Sequence, residues 1–228
     1  MNKAYHKGVS LFVVIVILLL VSLTVISGMS SFLLEQKVTN DRVEFEKMID
    51  IANSSLREAE FRFYGPSYLR DKIDIPASKE FSHCRKDNTL KDGYLNKPCL
   101  LTEMTDNELA EYYLNPISFL INNSNRFGVA EVDAIDHADN MRNIAWMPYV
   151  GTDPLHLYDP IDSSKVAYKG YWNAYLVKSN EDDDANVNPE YGASLEGKGT
   201  YYYLITGQSN GQVAVQSTLS NVYVGINN

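Results

Sequence analysis

The sequence has few of the residues that build catalytic and metal centres. Its four histidines, at positions 6, 83, 137 and 156, are scattered and show no ligand spacing such as HExxH. Basic residues are also scarce: 20 lysines and arginines stand against 29 aspartates and glutamates, with no basic stripe to neutralise phosphates. These deficits argue against a metalloenzyme and a nucleic-acid partner. We therefore expect no cofactor, no metal and no enzymatic activity.

Cysteine is equally rare, with only Cys84 and Cys99 in the chain. The segment between them is polar and contains no CxxC motif. In an exported domain such a pair is expected to form a disulfide that closes this loop. The alternative is a pair of free or metal-binding thiols joined by His83, for which a third and a fourth ligand are missing.

Helix-breaking residues are absent from most of the first quarter of the chain. Between Val9 and Tyr64 there is no proline, and Gly28 is the only glycine. Val9 to Ile26 is almost entirely apolar and uncharged, and as a helix it would extend roughly 27 Å, close to the thickness of a bilayer core. We therefore predict a membrane span over residues 9–28, with its apolar body formed by Leu11, Phe12, Val13, Val14, Ile15, Leu18, Leu19 and Leu20.

Charges on either side of this run predict its orientation. Lys3 and Lys7 precede it, whereas the charges after it roughly cancel. The basic flank predicts that the N-terminus lies in the cytoplasm and that the bulk of the chain lies outside, as in a single-pass membrane protein.

The helix pattern continues well beyond the apolar run. Apolar residues recur at helical spacing from Phe45 to Phe63, and charged residues occupy the opposite face, which includes Glu44, Glu46, Lys47, Asp50, Arg57, Glu58 and Glu60. Gly65-Pro66 is a typical helix end. We predict one helix over 9–64, roughly 80 Å long, whose second half packs on its own domain. A cleaved secretory signal, cut after Ser27, and a plain uncleaved anchor are alternatives.

The remaining sequence divides into a loop region and a β-rich part. Residues 65–127 are expected to hold the disulfide and short helices, one of which begins at a capping box from Thr105 to Glu108, with another over 117–121. Residues 128–228 form the β-rich part, with candidate strands at 129–135, 144–150, 171–177, 201–206 and 212–224. The predicted fold class is α+β, a long N-terminal helix packed on a mainly antiparallel sheet.

Two short motifs invite a chemical interpretation. Gly207 to Gly211 matches the G-x-S-x-G nucleophile elbow, but a strand follows it and no histidine comes later, so we interpret it as a hairpin loop. Oxygen donors alternate from Asp182 to Asn188 as in a calcium loop. This segment lacks the required glycine at its sixth position and the glutamate at its twelfth, so a solvated acidic loop is the preferred interpretation.

The N-terminal residues resemble a known family. Lys7-Gly8 followed by Val-Ser-Leu-Phe-Val-Val-Ile resembles the class III leader of type IV prepilins. Leu33 to Lys37 and Ala52 to Glu60 are similar to stretches of the PilX subgroup of minor pilins, and the region from Tyr201 to Tyr223 resembles that group's closing β segment more loosely. The likeness covers about the first 60 residues well, and the middle of the chain matches nothing in this family.

The resemblance implies a processing site and a set of partners. Residues 1–8 would be a leader, cleaved between Gly8 and Val9 by a prepilin peptidase, and the new amino terminus would be methylated. Partners would be other minor and major pilins and a tip adhesin. The protein would start in a bacterial inner membrane, with its C-terminal domain in the periplasm, and would move from there into the pilus fibre or its tip. Most pilins carry glutamate at the fifth mature position, which pairs with the amino terminus of a neighbour. Here it is Val13, a departure that favours a subunit of the tip or priming complex.

Two further functions remain open from the sequence. The same features suit a pseudopilin of a type II secretion system, which shares the stalk and the leader. A membrane-tethered periplasmic binding or enzymatic domain is the third possibility, although the chain shows no convergent catalytic set that would support it.

Overall fold

A computed structural model describes residues 6–64, 84–86, 88, 98–151, 168–179 and 198–224. The chain divides into two compact units, Met1–Glu46 and Lys47–Asn228. One continuous helix, α1, runs from His6 to Tyr64 and so contributes to both units. The predicted helix over 9–64 is confirmed, and α1 ends directly before Gly65-Pro66, where the sequence placed its end.

The first unit is described by its part of α1 alone. From Leu11 to Ile26 its described apolar side chains are all exposed, Leu11 at 65% and Ile26 at 67%. Further along, Arg42 donates to Glu46 one turn later, at 3.0 Å. In the part of the chain that the structure describes, no helix is both long and apolar enough to cross a bilayer. The span over 9–28 stays a prediction.

The described part of the second unit contains four shorter helices besides the end of α1. They are α2 (Asp106–Leu114), α3 (Pro116–Asn122), α4 (Ser124–Phe127) and α5 (Val132–His137). Thr105 caps α2 and forms the predicted capping box with Glu108. Pro116 ends that helix and begins the next, because proline lacks the N–H that a helix interior needs but suits a first turn. The predicted short helices are confirmed.

The described residues form one sheet of four antiparallel strands in sequential order. They are β1 (Met147–Pro148), β2 (Gly170–Ser179), β3 (Lys198–Ser209) and β4 (Val213–Val224). Trp172 pairs with Gly207, and Tyr203 pairs with Leu219. A turn with Asn210 and Gly211 at positive φ joins β3 to β4. The mainly antiparallel sheet is therefore confirmed, and the last three strands lie where the sequence predicted them.

Two strand predictions are wrong. Residues 129–135 were expected to be extended, but only Val129 forms an isolated bridge, with Ile144, and Val132 begins helix α5. The strand predicted over 144–150 shrinks to Met147 and Pro148, after which the Tyr149 amide still donates to the Gly170 carbonyl.

Helices cover both faces of the sheet. Trp172 and Gly207 face α1, since the Trp172 indole bonds to Glu58 and Gly207 lies against Ala52. Their neighbours Asn173 and Thr206 face the other way and bond to Tyr112 of α2. This alternation follows the two-residue period of a strand, and it places one apolar layer on each side of β2 and β3.

Candidate functional site: the docking of helix α1 on the sheet

Two glycines make room for α1 on the sheet, Gly207 for its backbone and Gly170 for its side chains. A Cβ atom added to Gly207 would overlap the carbonyl oxygen of Ala52 and lie 2.7 Å from the backbone nitrogen of Leu56. A Cβ at Gly170 would overlap the Ser55 hydroxyl and lie 2.8 Å from a methyl group of Ile51. A larger residue at position 207 would push the helix backbone off the strand, whereas one at position 170 would displace the side chains of Ser55 and Ile51.

The helix offers small residues where it meets these glycines. Ala52, Ser55 and Ala59 are fully buried. Larger apolar groups lie on either side of them. The Phe63 ring packs on Tyr203 of β3 with ring centroids 4.6 Å apart, and Leu56 belongs to the same core. The stripe predicted from the sequence is thus the buried one from Met48 onward, while Phe45 is half exposed.

A buried carboxylate joins α1 to the segment after β1. One carboxylate oxygen of Glu58, Oε2, accepts hydrogen bonds from the backbone N–H groups of Val150, at 2.8 Å, and Gly151, at 3.0 Å. The other, Oε1, accepts from the indole Nε1 of Trp172 at 3.2 Å. Glu58 is only 1% exposed. Its hydrogen bonds therefore connect three separate parts of the unit in a space closed to water.

Arg62 completes this cluster. Its guanidinium lies one helical turn from Glu58, with an N–O distance of 3.4 Å, and 4.9 Å from the centre of the Trp172 ring. Arg62 is also 1% exposed. Burial raises the pKa of Glu58, and Arg62 together with the three N–H donors lowers it by less. The helical pattern predicts Glu58 on the charged face opposite the apolar stripe, and that prediction is wrong, because Glu58 is buried.

A polar contact also fixes the other flank of α1. The Ser217 hydroxyl of β4 donates to the Glu60 carboxylate at 2.6 Å. Glu58 and Glu60 thus tie α1 to β2 and to β4 respectively. The helix is held in one position across the sheet by directional bonds as well as by packing.

A second buried network holds α2 on the opposite face. The Tyr112 hydroxyl donates to Asn173 Oδ1 at 2.7 Å and lies 2.8 Å from the Thr206 hydroxyl. The Asn173 amide donates in turn to the carbonyl oxygen of Ala145 at 2.8 Å. Burial raises the pKa of the Tyr112 hydroxyl well above its usual range. Each polar group of this network therefore has a partner, as buried groups require.

The predicted disulfide is present between Cys84 and Cys99, both fully buried. It joins a segment that bonds to β2, where the Cys99 carbonyl accepts from the Ala174 amide, to a segment outside the sheet, where the Cys84 carbonyl accepts from the Ile144 amide. The pairing overturns the alternative of free or metal-binding thiols. In the described ranges no three acidic, histidine or cysteine side chains lie together as a metal site would require.

The other predicted site residues do not come together. Gly8 and Val9 lie in the first turns of α1. Ser209, the serine of the G-x-S-x-G match, is buried at the end of β3 and is followed by a turn and a strand, so no nucleophile elbow exists there. The acidic segment 182–188, His83 and His156 lie outside the described residues.

Sequence reasoning missed the cluster of Glu58, Arg62 and Trp172. A charged pair spaced by four residues on a helix is typical of a solvated face. The sequence does contain one indication that they are buried, namely their position around the helix axis. Glu58 and Arg62 lie beside the stripe of small buried residues that includes Ser55 and Ala59. No family model, curated protein or solved structure matches this chain.

Proposed function

We propose that this chain is a pilin-like subunit, most similar to the minor pilins of type IV pili, that acts by assembly and not by catalysis. The observation that carries the proposal is the division of α1. One helix exposes apolar side chains from Leu11 to Ile26 and buries small and apolar ones from Met48 to Phe63. The first part of such a helix needs an apolar environment from lipid or from other molecules. The second part has that environment in the core of its own domain.

Exposed apolar surface of this extent marks an interaction with lipid or with other helices. The described side chains of the run begin at Leu11, and the sequence extends it to Val9. Its two hydroxyl groups are internally satisfied, since Ser22 donates to the Leu18 carbonyl and Thr24 to the Val21 carbonyl. Backbone-bonded hydroxyls are tolerated in a helix within lipid. We therefore propose that the run lies in the inner membrane and later packs among neighbouring stalks.

The packing of the end of α1 on the sheet supports a role in which the domain is held rigidly at the end of this helix. Close packing at Gly170 and Gly207, with the bonds of Glu58 and Glu60, holds the end of α1 in one register. The disulfide fits an oxidising compartment such as the periplasm. In this proposal the partners are other minor and major pilins and a tip adhesin, and Val13 leaves the subunit without the carboxylate that would pair with a neighbour ahead of it.

The amino terminus of the protein from producing cells tests the proposal. We expect mass spectrometry to find a chain that starts at Val9, with a methylated amine. A matched pair of variants sharpens the result: Gly8→Leu is expected to keep Met1, whereas Ser10→Ala should still start at Val9. A wild-type start at Met1, or near Gly28, contradicts processing by a prepilin peptidase.

Deletion of the gene for this chain distinguishes a role in the pilus from a role in type II secretion. For a minor pilin we expect loss of surface pili and of twitching, with release of exoproteins unchanged. Loss of exoprotein release with pili intact would instead identify a pseudopilin of type II secretion.

A further inference from the structure

The turn between β3 and β4 contains a chemically labile pair of residues. Asn210-Gly211 is the only Asn-Gly pair in the sequence. Both residues have positive φ, 52° for Asn210 and 69° for Gly211, and the Gln212 amide donates to the Ser209 carbonyl at 3.0 Å. These are the features of a type I′ turn, in which asparagine and glycine are favoured because they tolerate positive φ. The pair therefore suits the folded turn, although its chemistry makes it vulnerable.

An asparagine that precedes a glycine is open to spontaneous deamidation. The glycine nitrogen loses its proton to solvent and attacks the carboxamide carbon of the asparagine. A C–N bond forms, a five-membered cyclic imide closes, and the side-chain nitrogen leaves as ammonia after taking a proton from solvent. Water then opens the ring at either carbonyl, which gives aspartate or isoaspartate. The net reaction converts one carboxamide and one water into a carboxylate and an ammonium ion, and nothing is oxidised or reduced.

In the folded domain hydrogen bonds hold both reacting groups of this pair. The Gly211 amide, which would have to lose its proton, donates to Gln208 Oε1 at 2.8 Å. The Asn210 carboxamide oxygen accepts from the Lys169 amide at 2.7 Å, and the Asn210 amide donates to the Lys169 carbonyl at 3.0 Å. Cyclisation requires Gly211 to give up its bond to Gln208 and the carboxamide to leave Lys169. The cost of breaking these bonds opposes the reaction.

The residues that hold the pair are themselves positioned by the sheet. Gln208 is fully buried and pairs with Tyr171 of β2 and Ala214 of β4. Lys169 directly precedes β2, which begins at Gly170. The bonds to Gln208 and Lys169 therefore exist only while the three strands are paired in this register, and unfolding of the sheet removes all of them together.

We propose that Asn210 is a modification site, which deamidates through a cyclic imide with Gly211 when the sheet opens and which Gln208 and Lys169 protect in the folded domain. The modification thus marks the time that a chain has spent unfolded. Isoaspartate has its peptide bond on the side-chain carboxyl, so it lengthens the turn by one backbone atom. The turn then no longer brings Ser209 opposite Val213, and the hairpin cannot re-form in its native register.

Peptide mapping by mass spectrometry tests the protection. The full chain, purified in detergent with its disulfide intact, is incubated at mildly alkaline pH, either folded or unfolded in guanidinium chloride. Deamidation at position 210 should be about tenfold faster in the unfolded chain, because only transient opening frees the Gly211 amide in the folded one. At intermediate denaturant concentrations the rate should follow the unfolded fraction, read from the fluorescence of the buried Trp146 and Trp172.

Two glutamine variants locate the effect. Gln208→Leu removes the acceptor of the Gly211 amide and should speed deamidation of the folded chain about fivefold, the factor that one neutral hydrogen bond is worth. Gln212→Leu changes the exposed residue that follows the pair and should keep the wild-type rate. Native tryptophan fluorescence shows that each variant is folded. If Gln208→Leu does not fold, the denaturant series on the wild-type chain decides the question without it.

Asn210→Asp separates the new charge from the change in the backbone. This variant keeps an oxygen that accepts from the Lys169 amide, so it should refold from denaturant as completely as the wild type. Chains isolated with isoaspartate at position 210 should not regain native fluorescence.

Three results overturn the proposal. They are equal deamidation of the folded and unfolded chains, a folded Gln208→Leu chain that deamidates no faster than the wild type, and isoaspartate chains that refold as well as Asn210→Asp does.

Discussion

Glu58 is the residue on which the position of α1 depends most. A carboxylate taken out of water loses its hydration, and only good hydrogen bonds and an opposite charge offset that cost. Here Val150, Gly151 and Trp172 supply the bonds and Arg62 supplies the charge. Such a cluster adds little net stability compared with an apolar one of the same shape. It does make every alternative register of the helix unfavourable.

Truncation of Glu58 should therefore be costly. In Glu58→Ala three N–H donors and the buried Arg62 lose their common acceptor, and we expect the free energy of unfolding to fall by about 3–5 kcal/mol. Urea unfolding followed by tryptophan fluorescence measures this, since Trp146 and Trp172 are both buried. The exposed neighbour Arg57→Ala is the control and should change stability by less than about 0.5 kcal/mol. Equal effects of the two variants would contradict the role given to Glu58.

Glu58 should also contribute to the pH dependence of the free energy of unfolding. Burial raises the pKa of Glu58 in the folded protein, so the folded state binds this proton more tightly than the unfolded state does. The contribution of Glu58 to stability is then greatest below its ordinary pKa and is lost as pH rises through the raised value. Glu58→Gln cannot titrate, so the difference in unfolding free energy, wild type minus variant, should fall across that window. A difference that rises with pH would show that Arg62 outweighs burial.

Among the elements, α1 and β3 meet at backbone distance. Gly207 lies against the backbone of α1 at Ala52 and Leu56, and backbone atoms cannot move aside as a flexible side chain can. Gly207→Ala should therefore displace the helix and lower the free energy of unfolding by about 1–3 kcal/mol, a typical cost of overpacking. Faster amide exchange over residues 51–63 would accompany it. Thr218→Ala, on the exposed side of β4, is the control, and an equal loss in both would argue against the close approach.

The elements differ in how well the sequence predicts them. The long helix, the capping box of α2 and the last two strands follow from local pattern, because each is long or has a distinct start. The prediction of a strand over 129–135 is wrong because so short a run fits both the helical period and the two-residue period of a strand. Val129, Val132 and Ile135 are spaced by three, which suits the helix turn that the structure contains, whereas the valines and isoleucine favour a strand.

Contacts between residues that are distant in sequence could not be predicted from local sequence patterns. The N–H donors that reach Glu58 from outside α1 lie 92 to 114 positions further along, and no local pattern connects them. The disulfide was predictable because two cysteines leave only one pairing. The close contacts at Gly170 and Gly207 depend on how α1 crosses the strands, which the sequence pattern does not specify.

At the scale of the whole molecule, the two units make different demands on their surroundings. Lys47–Asn228 has its own core, formed around Trp146, Trp172 and Tyr203, and its own disulfide. The described side chains of the first unit are exposed. The second unit therefore has the features of a domain that folds alone, whereas under the proposed function lipid or partner helices cover the first.

Removal of residues 1–46 tests this division. We expect a chain of residues 47–228, made in an oxidising compartment, to form its disulfide, to be monomeric and to remain in the aqueous phase when Triton X-114 separates. The full chain should enter the detergent phase. A truncated chain that aggregates or enters detergent would show that the second unit also lacks part of its apolar cover.

The buried carboxylate also sets an order of events in biosynthesis. The end of α1 leaves the ribosome well before Val150, Gly151 and Trp172, which Glu58 needs as donors. Until those residues arrive, dehydrating Glu58 is unfavourable, so the last turns of α1 must stay hydrated while the rest of the domain is still being made. The first element to be synthesised is thus among the last to reach its native place. Contacts between residues so distant in sequence make folding slow, and during that interval the small-residue stripe of α1 is open to contact with other molecules.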